Sequence, residues 1–296
     1  FRNTRQVVSG FPRRNFKCVK LPCPPLYQNN SDNLYPECFH PKADWLEQDP
    51  RVSWIKKLLK DLKSEKALLI CANVDTAMAL ERHFHLKAGV RSAAFHESLS
   101  LLERDRAAAY FAEEIGGAQV LICSEIGSEG RNFQFVQNLI FFDLPEHPDL
   151  LEQRIGRLDR IGQRDNIHMH VPVLAGTAQE ILFNWLDQGL GAFTLSCGVG
   201  HQLYEEFKDE LSSAMQSPNQ GFDRLISRTH SRRILLQAEV ERGRDRLLER
   251  NSHDALEGEK IIATLEEQPK DNGSGISQAM ANELVDLRAA LDLQKG

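Results

Sequence analysis

The string Glu152-Gln-Arg-Ile-Gly-Arg-Leu-Asp-Arg-Ile-Gly-Gln163 carries the most chemistry in this chain. On a helix, Gln153, Arg157 and Arg160 stand at i, i+4 and i+7, on one face, and Arg164 continues the row. Guanidinium groups stacked along one face repel one another unless an anion lies across them. The planar, permanently charged guanidinium meets phosphate oxygens two at a time, which a lysine cannot do. Gly156 and Gly162 are poor helix formers, so they imply a close backbone approach to a ligand or the end of a helix. A solvated basic face is the competing reading of any arginine row. The glycines and the flanking segments favour the anion site.

A second segment bears on the same chemistry. Ser124-Glu-Ile-Gly-Ser-Glu-Gly-Arg-Asn132 follows the apolar run Gln119–Cys123 directly. Gly127 and Gly130 allow a tight loop with exposed backbone N–H groups, suited to phosphate or ribose. Taken alone it reads as a turn; its place shortly before the arginine string gives it weight. Phe142-Asp-Leu-Pro145 and His96-Glu-Ser-Leu-Ser100 also leave apolar runs, and a lone Asp there is commonly a turn former.

These residues need a frame to hold them. From Val52 onward, helical and strand patterns alternate. Residues 52, 55, 58, 59 and 62 repeat at a helical period. Ala67–Ala72 reads as a short buried strand, and Thr76–Phe84 as a helix with Asp75 as a possible N-cap. Val90–Phe95 is a second strand, and Leu101–Phe111 a helix capped by Ser98 or Ser100. Gln119–Cys123, Leu139–Phe142 and His168–Val173 are further strands, with the arginine string on the helix after Phe142. This alternation predicts an α/β fold: a parallel sheet with helices on both faces, whose ligands bind at the carboxyl ends of the strands. The segments singled out above all leave such ends. After about residue 175 the pattern is helical only, over 177–190, 203–215, 221–250 and 277–293. The prolines at 12, 22, 24, 25, 36, 41 and 50 forbid long helices at the start, though Phe16–Leu21 can form one strand. The organisation expected is 1–50 as the tail of a preceding domain plus a linker, 51–176 as the α/β lobe, and 177–296 as a helical extension.

Composition bounds the rest. The 296 residues, 41% hydrophobic and 26% charged, suffice for one large domain or two modest ones. The net charge of −6 argues against a stand-alone basic DNA-binding domain, while a local arginine cluster still suits phosphate. No apolar run approaches a membrane span, and no signal peptide opens the chain. Phe1 in place of Met suggests a fragment or a processed chain. Cys71 and Cys123 lie in apolar runs and read as core. Cys18, Cys23, Cys38 and His40 can be drawn as a zinc site, but they lack knuckle spacing, and no metal site is assigned. A reducing compartment is the simplest setting.

Taken together, the motifs resemble superfamily-two nucleic-acid motors in their SWI/SNF-type form. There the last motif reads Gln-Arg-x-Gly-Arg-x-x-Arg-x-Gly-Gln, and Gln153, Arg154, Gly156, Arg157, Arg160, Gly162 and Gln163 all match. In the loop after Cys123, Glu129, Gly130 and Asn132 match, while Arg131 and Phe133 replace leucines; Ser98 stands where many members have glycine. The likeness runs in order over roughly residues 1–200 and is nearest to the bacterial RNA polymerase-associated branch. It implies a RecA-like second motor lobe with Arg157 and Arg160 as arginine fingers on ATP phosphates, typically worth about 10³–10⁵ in rate. It implies Gln153, Gly127, Glu129, Gly130 and Asn132 at the nucleotide, and His96, Glu97, Ser124, Arg131 and Arg154 at nucleic acid. The implied cofactor is ATP with Mg, whose ligands lie outside this chain. The implied partners are double-stranded DNA, RNA polymerase and the first motor lobe of the same polypeptide, with no membrane, in a bacterial cytoplasm near the nucleoid.

The sequence holds no Gly-x-x-x-x-Gly-Lys-Ser/Thr and no Gly-Lys pair, and Asp209-Glu210 lies in a helical pattern rather than after a strand. The chain alone is therefore expected to be inactive and to serve as half of a motor. Two other readings remain: a non-catalytic docking lobe for nucleic acid or polymerase, and an RNA helicase lobe of another subfamily.

Overall fold

The computed structural model describes residues 12–40, 44–125, 133, 135–160, 166–195, 198–217 and 222–242. The chain divides into a compact unit Phe1–Leu235 and a second unit Leu236–Gly296. In the second, residues 236–242 are described and helical. The expected helix over 277–293 lies outside the described residues.

Among the described residues of the first unit there are six strands: β1 (Arg14–Leu21), β2 (Ala67–Ile70), β3 (Ser92–Phe95), β4 (Val120–Cys123), β5 (Asn138–Phe141) and β6 (Ile167–Leu174). They form one sheet in the order β1-β6-β5-β2-β4-β3, and every pairing is parallel. The apolar runs explain the order. β2, β4 and β5 are buried at every residue, as central strands covered on both faces must be. Helices α1 (Trp45–Gln48), α2 (Pro50–Asp61), α3 (Val74–Leu86), α4 (Leu101–Ala112), α5 (Pro148–Ile155), α6 (Ala178–Asn184) and α7 (Gly200–Gln216) surround them. Residues 223–235 are also helical.

Local chemistry sets the helix starts. The Asp49 side chain accepts the Arg51 N–H, and Pro50 takes the first turn, where its missing N–H costs nothing. Ser100 and Glu103 form a reciprocal capping box at α4. α3 begins earlier than expected, at Val74. Asp75 is in its first turn, facing the positive end of the helix dipole, and is not the cap. The helix expected over 177–190 starts at the Thr177 cap but widens into a π-turn over Trp185–Gly189. Val52, Ile55 and Leu59 of α2 and Ala77, Leu80 and Phe84 of α3 share one core cluster with Leu69, Ile122, Ile140 and Phe142. Phe141 points the other way and meets Phe193, which stacks on Phe16.

Of the segment expected as tail and linker, residues 14–21 form a strand of the sheet. β1 pairs with β6 along all eight of its residues. Without it, β6 would leave a row of unpaired backbone groups at the sheet edge. Beyond it, prolines end the strand and open two 3₁₀ turns, Pro25–Asn30 and Pro36–Phe39. These turns deliver Tyr27 and Glu37 to a buried cluster around Arg51. Arg51 donates to Asp49 (2.6 Å), Glu37 (2.9 Å) and the Phe142 carbonyl (3.2 Å), while the Tyr27 hydroxyl donates to Asp49 (3.0 Å).

Candidate functional site

The carboxyl ends of β2, β3, β4 and β5 lie side by side, and the residues just beyond them bond to one another. Ser124, after β4, donates its hydroxyl to the Glu97 carboxylate, after β3. Asp143, after β5, accepts the Ala72 N–H, after β2, at 2.9 Å. Arg154 of α5 joins the two halves. Its Nε and Nη2 donate to Glu125, and its Nη1 and Nη2 donate to Asp143 Oδ1 (both 3.1 Å), with Nη1 also on the Asp143 carbonyl (2.7 Å). One guanidinium therefore ties the start of the glycine loop to the helix of the arginine string and to the exit of β5. The elements that sequence reading placed at this edge are brought together there.

The arginine string is not helical throughout. α5 ends at Ile155, and Gly156 is its cap. The chain then tightens: Arg157 N–H bonds Arg154 O at 3.3 Å and Leu158 N–H bonds Ile155 O at 3.1 Å, three residues back rather than four. Burial explains the turn. Leu158 is fully buried and Asp159 nearly so. Asp159 is drawn to Arg14 on β1, which bonds Asp159 Oδ2 at 2.7 Å and Glu152 at 2.7 and 3.1 Å. Gln153 is thus on the helix, exposed, while Arg157 and Arg160 are half-buried in the turn that follows. The single helical face expected for the three is corrected to a helix-plus-turn edge. Arg160 Nε reaches the Gly156 carbonyl at 3.4 Å. Burial pushes the Cys123 thiol up, and the charge of Arg157 pulls it back. Arg157 therefore stands close to the carboxyl end of β4.

The residues expected at nucleic acid fare differently. Arg154 has every nitrogen engaged inside the lobe and is 2% exposed. It is a structural tie, not a surface contact. Ser124 is fully buried with its hydroxyl given to Glu97. His96 is 4% exposed, and burial pushes its pKa down, so at neutral pH it offers no positive charge to a phosphate. Its Nδ1 has no hydrogen-bond partner among the described residues. Glu97 is exposed. Burial would lift its carboxyl, but the Ser124 hydroxyl, a backbone amide, His96 and Arg104 together hold it below the usual range. An anionic side chain there repels phosphate. Gly127, Glu129, Gly130, Arg131 and Asn132 lie outside the described residues, as do Gly162, Gln163 and Arg164.

Sequence reading missed Glu125 and Arg14. Glu125 lies in the loop string but matches no family position; an acid one residue past a strand, opposite a motif arginine, was the available signal. Nothing in the Arg13-Arg14 pair marks the second as buried. Among the described residues, Cys18, Cys23, Cys38 and His40 do not gather into a metal-ligating group, and no helix is long and apolar enough to cross a membrane.

Residues 50–162 match the family model for the helicase conserved C-terminal domain. Residues 166–286 match that of the RNA polymerase recycling family C-terminal region. The chain is 50% identical over 284 residues to the RNA polymerase-associated protein RapA of Pseudomonas aeruginosa (strain LESB58). That alignment covers 92% of this chain and 30% of the relative, so the chain spans less than a third of that protein's length. Among solved structures, the C-terminal part of the Fun30 ATPase domain is similar at 18% identity, with a TM-score of 0.45 over 58% of this chain and 55% of that one. The E. coli DEAD-box protein SrmB is similar at 16% identity, with a TM-score of 0.38 over 54% of this chain and 78% of that one.

Proposed function

We propose, from the premise that this chain belongs to the SWI/SNF-type helicase-like family on its RapA-like branch, that it forms the second motor lobe of an ATP-driven translocase on double-stranded DNA. The observation that carries this is the carboxyl edge of the sheet. There the arginine turn, the root of the glycine loop and the β5 exit are bonded into one unit by Arg154.

In this reading Arg157 and Arg160 are the arginine fingers, and Gln153 contacts the nucleotide beside them. Their half-buried guanidiniums suit anionic phosphate oxygens in charge and in shape. When bound, ATP with magnesium supplies the phosphoryl group and the metal charge. At this edge Asp143 and Glu125 are both taken by Arg154, and Glu97 accepts the Ser124 hydroxyl. The magnesium ligands are therefore assigned to the first lobe, with the phosphate cradle. The same reading assigns Gly127, Glu129, Gly130 and Asn132 to the nucleotide and Arg131 to the DNA backbone. RNA polymerase is the protein partner, the first lobe of the same polypeptide the other, and the setting is the cytoplasm near the nucleoid.

The test is made in the full-length protein. Arg157→Ala and Arg160→Ala should each lower DNA-stimulated turnover by about 10³-fold or more while changing nucleotide affinity little, because fingers act on transition-state charge. The double variant should be little worse than the more damaging single one, since the two act as a unit. Near-normal turnover in both single variants would reduce the row to a solvated face and favour the docking-lobe reading.

A further inference from the structure

A cluster away from the arginine turn has no part in that reading. His147 is the N-cap residue of α5, and His201 is in the first turn of α7, 54 residues on. His147 Nε2 and His201 Nδ1 are 3.2 Å apart. Asp149 Oδ2 is 3.9 Å from His201 Nδ1 and 4.0 Å from His147 Nδ1. One ligand atom from each residue lies within 4.8 Å of the other two. Two nitrogens bound to one tetrahedral ion at about 2.0–2.1 Å stand about 3.3 Å apart. The two imidazoles already have that spacing, and the carboxylate needs only a small swing to join them.

We propose that His147, His201 and Asp149 bind a divalent cation of the zinc class, with the fourth position left to water. The donor set decides the class. Two imidazole nitrogens and one carboxylate suit zinc and its transition-metal neighbours, whereas magnesium and calcium require oxygen. The site is thus chemically distinct from any magnesium that accompanies a nucleotide.

Loading has a defined local consequence. Without metal, His147 Nδ1 accepts the Asp149 N–H at 3.2 Å. That bond keeps the ring proton on Nε2, from which it is donated to His201. A cation at Nε2 moves the proton to Nδ1. The ring then gives up the cap bond, and the metal bond replaces the His147–His201 hydrogen bond. The ion ties the first turn of α5, whose far end leads into Arg157, to the first turn of α7. It thereby links the segment matching the helicase C-terminal model to the segment matching the polymerase-recycling model.

The experiment uses the untagged 296-residue chain, stripped of metal, and titrates it with zinc by calorimetry and with cobalt by visible absorption. We expect uptake of one ion per chain, the intense visible bands of low-coordinate cobalt, and a melting temperature that rises with zinc. His201→Ala and Asp149→Asn should each weaken zinc binding by about tenfold or more, with unchanged circular dichroism and unchanged metal-free melting. His201 is largely exposed, so its variant tests the site without touching the His147 cap of α5. A large excess of magnesium should leave zinc bound. No stoichiometric uptake, undiminished binding in the His201→Ala/Asp149→Asn double variant, or displacement by magnesium would each overturn the proposal.

Discussion

Arg154 occupies a motif position that reads, in sequence, as a nucleic-acid contact, and the structure makes it a buried tie; the two assignments predict opposite outcomes for Arg154→Met. The side chain is 2% exposed and its partner Asp143 is 0% exposed, with Glu125 at 24%. Methionine removes every donor that Arg154 gives these carboxylates. Asp143 keeps the Ala72 N–H, and its full burial then lacks a compensating charge. Breaking a buried ion pair from one side typically costs about 3–5 kcal/mol. For a unit of this size that corresponds to about 6–20 °C in melting temperature. Arg154→Lys should fall between, because it restores the charge but not the fork that spans Glu125 and Asp143. Asp143→Asn in the Arg154→Met background should cost much less than the sum of the two single changes, since both remove the same interaction. Thermal and urea unfolding of the chain measure the stability arm. In the full-length protein, the dependence of DNA binding on salt measures the other. A true phosphate contact would lower the log–log slope by about one without loss of stability. A melting point within a degree or two of the parent, together with that loss of slope, would refute the buried-tie argument.

The remaining predictions rest on other observations. Arg51→Ala should destabilise by about 3–5 kcal/mol, because Asp49 and Glu37 stay buried after their cation is gone; urea midpoints at constant slope would show it. His170 should make the chain acid-sensitive. Burial, with His168 and Lys17 adding to it, pushes its pKa from 6.5 down to about 4. The fold favours the neutral ring, so stability present above pH 6.5 begins to fall below it and goes on falling until about pH 4, with about 2 kcal/mol lost by pH 5. His170→Gln should flatten that part of the pH–stability curve, and an unchanged curve would exclude the ring as its source. The purified chain alone should hydrolyse ATP no faster than background, which a phosphate-release assay with DNA and magnesium checks. In the full-length protein, Arg131→Ala should reduce the salt slope of DNA binding by about one, the signature that Arg154→Met should lack.

The sheet was legible because its signal is cheap to read. β2, β4 and β5 are short unbroken apolar runs, and residues buried on both faces leave no other pattern. β1 was harder. Its burial alternates because it is an edge strand, and the prolines around it obscure the eight residues that pair. A parallel partner 153 positions away, as Arg14 is from Ile167, leaves no local trace. The start of α4 was legible because the Ser100 side chain caps it, whereas α3 was misplaced at Asn73, whose side chain makes no cap bond, and α2 starts at Pro50, two residues before the periodic pattern does. Periodicity also extended the arginine string as one helix. The turn at Gly156 is set by the burial of Leu158 and by the pull of Arg14 on Asp159, both of them tertiary effects.

That turn separates two jobs that the motif spelling runs together. Two residues before Gly156 bond within the lobe: Arg154 neutralises two carboxylates and Glu152 takes Arg14, so they fix where the helix ends. Residues after it, Arg157 and Arg160, leave the helix while still half-buried, and their positions depend on how that end is held. An arginine that acts on transition-state charge must be held within a fraction of an ångström to be effective. A flexible four-bond side chain on a frayed helix end cannot meet that demand. A short turn pinned by Arg154 on one side and Arg14 on the other can, because both pins are buried and each reaches a different strand connection. The like charges of the motif are therefore not a single electrostatic row. Arg154 is spent on carboxylates within the lobe, and spending it there is what lets the next two arginines be presented in a fixed geometry.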